Sequence, residues 1–243
     1  MYNSHMIEII PAVLEASLEN IEKRLEQVRT HAKMVQIDIC DGTFVPSLTW
    51  PFVSPAILGK ALNLENSLTE MVADEKQMPY WEDMDFELHL MVAEPKKLFP
   101  NILIIGPSRV FFHIESFTDH YVELTECLKL LPTIVEPGIS INPDTDPEIL
   151  FEILDDGLVT SVQCMGIAKI GAQGEPFDER VLKTIEVLHT RYPNLPISVD
   201  GGVNLENAKR LVDAGVSRLV VGSAIFTAKD IPSRIVEFKK VVQ

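Results

Sequence analysis

Eight short runs rich in β-branched residues recur along the chain, each separated from the next by a longer segment of helical period. The runs are Glu8–Val13, Met34–Ile39, Phe86–Met91, Arg109–Ile114, Thr133–Ser140, Leu158–Cys164, Ile197–Val199 and Leu219–Val221. Amphipathic stretches between them include Leu18–Thr30, Asp119–Leu131, Pro147–Leu154, Asp178–Arg191 and Leu205–Ala214, and in the first of these Leu18, Ile21, Leu25 and Val28 share one face. Asn204 is placed to cap the start of the Leu205–Ala214 helix, and Gly215 to end it. Strands joined by helical crossovers pair in parallel, which leaves an open doubly wound sheet or a closed barrel. The strand count favours the barrel. So do Asp38, His89, Glu115, Asp200 and Ser223, which stand where strand runs end and would converge on one mouth. No Gly-x-Gly-x-x-Gly follows the first run, which argues against a dinucleotide-binding sheet. The expectation is an α/β fold, a single (β/α)8 TIM barrel over residues 7–243, with residues 1–5 reading as an expression scar.

Composition narrows the partners. Of 243 residues, 46% are hydrophobic and 23% charged, enough to bury a large core and to exclude wholesale disorder. A net charge of −15 repels phosphate backbones and anionic membranes, so neither nucleic acid nor a membrane is an expected partner. A single small phosphate is not excluded, because a few backbone N–H groups hold one locally. No apolar run reaches the ~18 residues of a spanning helix. Cys40, Cys127 and Cys164 are far apart and form no CxxC, which reads as reduced thiols in a cytoplasmic protein. A homo-oligomer is expected.

One connection breaks the spacing. Between the second and third strands, residues 55–85 carry Glu65, Glu70, Asp74, Glu75, Glu82 and Asp83 together with Met71, Met78, Tyr80 and Trp81. A connection this long is a solvated acidic insertion, a lid over the mouth or a subunit contact.

Asp38 alternates with Ile37 and Ile39, so it faces away from them, toward the lumen of a barrel. An inward carboxylate is costly unless it meets a metal, a cation or a substrate hydroxyl. Asp41-Gly42 more plainly serves the following turn. Asp200 repeats the pattern at the end of the seventh run, followed by Gly201-Gly202, and Gly222-Ser223 follows the eighth. Loops after strands seven and eight are a common phosphate site in such barrels, and the helix after Asp200 is expected to offer free N–H groups at its start. His89 shares a strand face with Glu87 and Met91. One imidazole and two carboxylates at the same mouth suit a divalent ion such as Zn, Mn or Fe. His113 and Glu115 end the fourth run in the same way, while His31, His120 and His189 read as helical surface residues.

The same residues carry a resemblance. Asp38-Ile-Cys-Asp41-Gly42-Thr-Phe44-Val45-Pro46, Leu88-His89-Leu-Met91-Val92, His113-Ile-Glu115, Asn142-Pro143, Val199-Asp200-Gly201-Gly202-Val203-Asn204 and Val221-Gly222-Ser223-Ala224-Ile225-Phe226 resemble the ribulose-phosphate 3-epimerases, over Ile7 to Asp230. The resemblance implies a barrel enzyme that exchanges the proton at C3 of a ketopentose 5-phosphate. It implies Asp38 and Asp200 as the acid–base pair, and a divalent metal (Zn, Fe or Mn) held by Asp38, His89 and Asp200. It also implies Met91 lining the site and a phosphorylated sugar held by Gly171, Gly201, Gly202, Gly222 and Ser223. Three positions depart from the family: Gln36 stands where a His ligand is expected, Ala12 where a Ser contacts substrate, and Ala168–Gly174 keeps only part of a glycine-rich loop. An amide oxygen is a weaker ligand than imidazole for a borderline metal. Two alternatives therefore stand beside the epimerase: an isomerase or epimerase for another phosphorylated ketose, and a non-catalytic sugar-phosphate-binding barrel. Related barrel decarboxylases carry a Lys two residues after the second-strand Asp. Cys40 occupies that place here and argues against that branch.

Overall fold

Every strand of a closed parallel barrel is covered on both faces, by helices outside and by the other strands inside, so its residues are buried almost without a break. The computed structural model describes residues 7–52, 68, 71 and 77–243. Eight strands pair in parallel in chain order and close, the first against the last: β1 Glu8–Val13, β2 Met34–Cys40, β3 Asp85–Met91, β4 Arg109–His113, β5 Glu136–Ile141, β6 Ser161–Met165, β7 Ile197–Asp200 and β8 Arg218–Val221. Around them lie α1 Leu18–Val28, α2 Pro95–Ile102, α3 His120–Leu128, α4 Phe151–Asp155, α5 Val181–Arg191, α6 Leu205–Asp213, α7 Ser223–Phe226 and α8 Ile231–Val241. The expected TIM barrel is the observed one.

The two faces of each strand do different work. Ile37 and Ile39 of β2, Leu88 and Leu90 of β3, Val110 and Phe112 of β4 and Ile197 and Val199 of β7 belong to one apolar cluster with Ile21, Leu25 and Val28 of α1 and Ile185 and Leu188 of α5. Each such side chain, once buried, contributes about 1.5–3 kcal/mol. The alternate residues face the lumen, and many are polar and buried: Gln36, Asp38, Glu87, His89, Arg109, His113, Ser140, Gln163, Ser198 and Asp200. Most barrels fill that space with branched apolar side chains. Here several of the polar groups pair with one another.

At the lower end of the lumen they do so by an ion pair. Arg109 Nη1 donates to Glu87 Oε2 at 2.5 Å and Arg109 Nε to Glu136 Oε2 at 3.0 Å. Burial pushes the Glu87 carboxyl up to about 7, against the pull of Arg109 and Arg218.

Local sequence explains the helix starts. Ser17, Asp119 and Asp230 each accept a hydrogen bond from a first-turn N–H of α1, α3 and α8. The strand starts of β5 and β6 come later than the β-branched runs Thr133–Ser140 and Leu158–Cys164 suggest. Ile134 is 86% exposed, and Val135 N–H closes a turn onto the Pro132 carbonyl, so the ladder begins only where Glu136 meets Arg109. Pro147–Leu154 is a 3-10 turn, Pro147–Leu150, leading into α4. Helix α2 escapes a reading by periodicity because a proline, Pro100, stands inside its sequence. The 1–5 stretch and most of the 55–85 connection lie outside the described residues. Within that connection Leu68, Met71 and Met78 are buried in the main apolar cluster, while Trp81, Glu82 and Asp83 are exposed.

Replacing Arg109 with Leu leaves Glu87 buried without its partner. Chemical denaturation is expected to show a loss of about 3–5 kcal/mol. Adding Glu87→Gln should recover part of it, and no recovery would mean that the pair is not what Arg109 stabilises.

Candidate active site

Strand register sets the centre of the site. Asp38 on β2 lies directly opposite His89 on β3, with Gln36 one pleat below, and Asp200 ends β7 beside Met165. Strands two and seven stand three apart around the barrel, so the two carboxylates approach the axis from different sides. Gln36 Nε2 donates to Asp38 Oδ1 at 2.7 Å and to Asp200 Oδ2 at 2.8 Å. His89 Nδ1 lies 3.1 Å from the first of these oxygens and 3.2 Å from the second. Gln163 Nε2, from β6, reaches Asp200 Oδ2 at 3.3 Å. One oxygen of each carboxylate is thus held from below. Among the described residues, Asp38 Oδ2 and Asp200 Oδ1 accept no hydrogen bond, and both residues line the cleft above.

Burial pushes the Asp38 carboxyl up, opposed by the hydrogen bond with His89 and reinforced by the Asp200 charge. Burial of the imidazole would by itself lower His89, but hydrogen bonds and charge from Asp200 and Asp38 outweigh it and bring it up to about 9. Contact with the two acids thus favours the protonated, imidazolium form of His89. Cys40 is no nucleophile: burial, and then the Asp38 charge, push its thiol far above the usual range.

A second row of polar groups runs away from the centre. His89 Nε2 is 2.8 Å from His113 Nε2, and His113 Nδ1 is 3.1 Å from Glu115 Oε2. Glu115 Oε1 accepts from the Asn142 backbone N–H at 2.8 Å and from Thr145 Oγ1 at 2.6 Å. Burial alone would raise Glu115, but the hydrogen bonds from His113, Thr145 and Asn142 hold it below the usual carboxylate value. Burial keeps His113 low and neutral.

Above the carboxylates lies a small, open-mouthed cleft with a cavity volume of about 50 Å³. Asp38, His89, Met91, Gly171, Asp200, Gly201, Gly202, Gly222 and Ser223 all line it, with Ala12 and the loop residues Ala172, Gln173 and Gly174. Of the expected site residues, Gln36 alone lies beneath rather than in the wall. Gly201 and Gly202 have φ of +100° and +67°, and a Cβ there would come within 2.6 Å of Ile167 and 2.7 Å of Phe177. Backbone shape alone demands glycine at both positions. Their value as a phosphate cradle therefore rests on location, not on residue type. The helix after them has its Glu206 and Asn207 N–H groups already taken, so fewer are free than expected. Asn204 Oδ1 accepts from Glu206 and Asn207 N–H, and Asn207 Oδ1 accepts from Asn204 N–H, a closed capping box. Asp41 serves the turn, accepting from Thr43 and Phe44 N–H and, through its other oxygen, from Ala93 N–H. His31 lies just past the end of α1, His120 opens α3, and His189 is exposed on α5.

Ligand atoms of Asp38, His89 and Asp200 lie within 4.8 Å of one another, so these three residues can hold a metal ion. Gln36 bears on the fit. Its Oε1 is buried with no hydrogen-bond partner among the described residues, while its amide N–H groups bridge the two carboxylates. Turning that amide over trades the N–H donors for an oxygen among the same atoms. The set then becomes two carboxylates, one imidazole and one amide oxygen, which suits a divalent cation.

Sequence reasoning passes over Gln163 and gives His113 and Glu115 no task. The signals are present: a Gln inside the apolar run Val162–Met165, and His113 and Glu115 two apart at a strand end.

Comparison with known proteins gives the following. Residues 8–226 match the family model "Ribulose-phosphate 3 epimerase family". A curated ribulose-phosphate 3-epimerase of Candida glabrata is 30% identical over 240 residues, covering 96% of this chain and 90% of that protein. The Bacillus subtilis ribulose-phosphate 3-epimerase is 27% identical, covering 96% and 99%. Among solved structures, 3-hexulose-6-phosphate synthase from Salmonella typhimurium superposes with a TM-score of 0.66 at 12% identity, covering 97% of this chain and 98% of that one. Orotidine 5'-phosphate decarboxylase from Pyrococcus horikoshii OT3 gives 0.59 at 16%, covering 96% and 98%. At such identities the last two speak for the fold alone.

His89 gives the ion-free protein a pH signature. Its folded value lies above its ordinary value of 6.5, so its contribution to stability is complete below pH 6.5 and is lost as the pH rises through about 9. Thermal melts in chelator should fall over that window for the parent and stay flatter for His89→Gln. Equal slopes would contradict the imidazolium assignment.

Proposed function

The chain belongs to the ribulose-phosphate 3-epimerase family, and from that membership and the site's geometry we infer that it interconverts ribulose 5-phosphate and xylulose 5-phosphate by proton exchange at C3 between Asp38 and Asp200. The observation that carries the residue assignment is the division of labour within each carboxylate. Oδ1 of Asp38 and Oδ2 of Asp200 are held by Gln36 and His89, and the other oxygen of each is left for substrate.

Inversion at a carbon needs a proton taken from one face and another delivered to the opposite face. In one direction Asp38 removes the C3 proton, and the electron pair moves into the C2 carbonyl to give an enediolate. Asp200, protonated, returns a proton from the other side; the reverse direction exchanges the roles. Burial by itself raises the Asp38 carboxyl above the ordinary aspartate range. The Gln36 and Gln163 amides hold the carboxylates in position and do not take part in the proton transfer.

A divalent ion (Zn, Fe or Mn) held by Asp38, His89 and Asp200, with Gln36 Oε1 as a further donor, would supply Lewis-acid stabilisation of the negative charge that develops on the substrate oxygens. The amide oxygen in place of an imidazole favours the harder ions of that group. The phosphate of the substrate is assigned to the Gly201-Gly202 and Gly222-Ser223 loops, which share the cleft with the carboxylates, with Gly171 and Met91 on its walls. Ala12 and Gln173 line the same cleft, so the departures at 12 and 168–174 bear on which ketose phosphate is preferred. Retention of both inward carboxylates is what a non-catalytic binding barrel would not need. A homo-oligomer and a cytoplasmic setting remain part of the reading. A rice relative is named a cytoplasmic isoform and an Arabidopsis one chloroplastic, and no described helix is long and apolar enough to cross a membrane.

Two carboxylates acting on opposite faces predict a separation of exchange from epimerisation. Asp38→Asn and Asp200→Asn should each lower epimerisation by at least about 10²-fold. Each should still wash the C3 proton of one epimer into D2O, and of a different epimer in the two variants, as read by NMR. Variants that exchange neither epimer or both alike would overturn the assignment.

A further inference from the structure

We propose that Glu115 and His113 are positioning residues that fix the proton on His89 Nε2 and so leave Nδ1 as the nitrogen that faces the divalent ion. The proposal rests on the reading of Asp38, His89 and Asp200 as the ion-holding set, and it assigns a task to two residues outside that set. His89 presents Nδ1 to the two carboxylate oxygens and Nε2 to His113. A nitrogen that ligates a cation must offer a lone pair, so the proton of a neutral His89 then sits on Nε2. That N–H needs an acceptor, and His113 Nε2 at 2.8 Å is the partner. A neutral His113 accepting there carries its own proton on Nδ1 and needs an acceptor in turn. Glu115 Oε2 stands 3.1 Å away, and an ionised carboxylate can only accept.

The direction of the row is thus fixed from its outer end. Glu115 is itself held by two donors on the loop after β5, Asn142 N–H and Thr145 Oγ1, both on Oε1, which leaves Oε2 for His113. The Phe44 ring centroid packs 5.2 Å from that of His113, which lies 4.9 Å from that of His89, and both imidazoles are fully buried.

The substitution that tests this is Glu115→Gln, because Oε1 of the new amide keeps the bonds to Asn142 and Thr145 while its NH2 group takes the place of Oε2. It then donates to His113 Nδ1, which moves the His113 proton to Nε2, facing His89. His89 must answer with its Nε2 lone pair, its proton goes to Nδ1, and the ligand nitrogen is blocked. Two measurements on the full chain are decisive. In histidine-15N-labelled parent protein loaded with zinc, long-range nitrogen–proton spectra should show Nδ1–H on His113 and Nε2–H on His89. Competition with a chelator should show zinc affinity lower by about 10–100-fold in Glu115→Gln, the usual effect of removing such a partner, and largely restored in Glu115→Asp. A His113 protonated at Nε2 in the parent overturns the proposal without any variant. So does a folded Glu115→Gln protein that binds zinc as tightly as the parent. A parent that takes up no zinc overturns the metal reading together with this proposal, whereas intact zinc binding with the wrong proton positions overturns this proposal alone.

Discussion

Two buried carboxylates with ligand atoms less than 4.8 Å apart would repel each other by about 3 kcal/mol at an effective dielectric near 20, and everything else in the lumen is arranged around that repulsion. Three features offset it. The Gln36 amide bridges one oxygen of each, the His89 imidazole lies against the same two oxygens, and those oxygens draw the imidazole up to about 9, favouring its positive form. The cost of gathering like charges is what makes the site useful, since groups held in that balance change protonation with small shifts in their surroundings.

The barrel makes the arrangement possible by separating two jobs along each strand. Odd-numbered residues of β2, such as Ile37 and Ile39, pack outward into the helical layer, while Gln36 and Asp38 face the axis. The same alternation sends Leu88 and Leu90 outward and Glu87 and His89 inward on β3. Stability comes from the outer layer, so the lumen can hold polar groups in two tiers. The lower tier closes on itself through Glu87 and Arg109. In the upper tier, Asp38 Oδ2 and Asp200 Oδ1 have no hydrogen-bond partner among the described residues, and both residues line the cleft.

Much of this is legible in the sequence because a strand has a period of two. Asp38 between Ile37 and Ile39 can face only the lumen, and the strand-end positions of His89 and Asp200 place them at the same mouth. What stays hidden depends on which strands stand side by side across the axis. The bridging role of Gln36 needs the distance between β2 and β7, and the contact of His89 with His113 needs the register of β3 on β4. Gln163 reaches Asp200 only because β6 and β7 are neighbours. The helix after Asp200 departs from expectation for a local reason: Asn204 Oδ1 takes the Glu206 and Asn207 N–H groups, although Asn204 is recognisable as a cap. The start of β5 departs from expectation because β-branched Thr133–Val135 has no neighbouring strand to pair with.

The central claim is that one carboxylate takes the C3 proton and a different one returns a solvent-derived proton on the other face. It is tested most directly by incubating the parent protein with ribulose 5-phosphate in D2O and following C3 by NMR from the earliest product formed. The account predicts xylulose 5-phosphate that carries deuterium at C3 from the first turnovers. Xylulose 5-phosphate that retains the original C3 proton would mean transfer by a single group, and would contradict it.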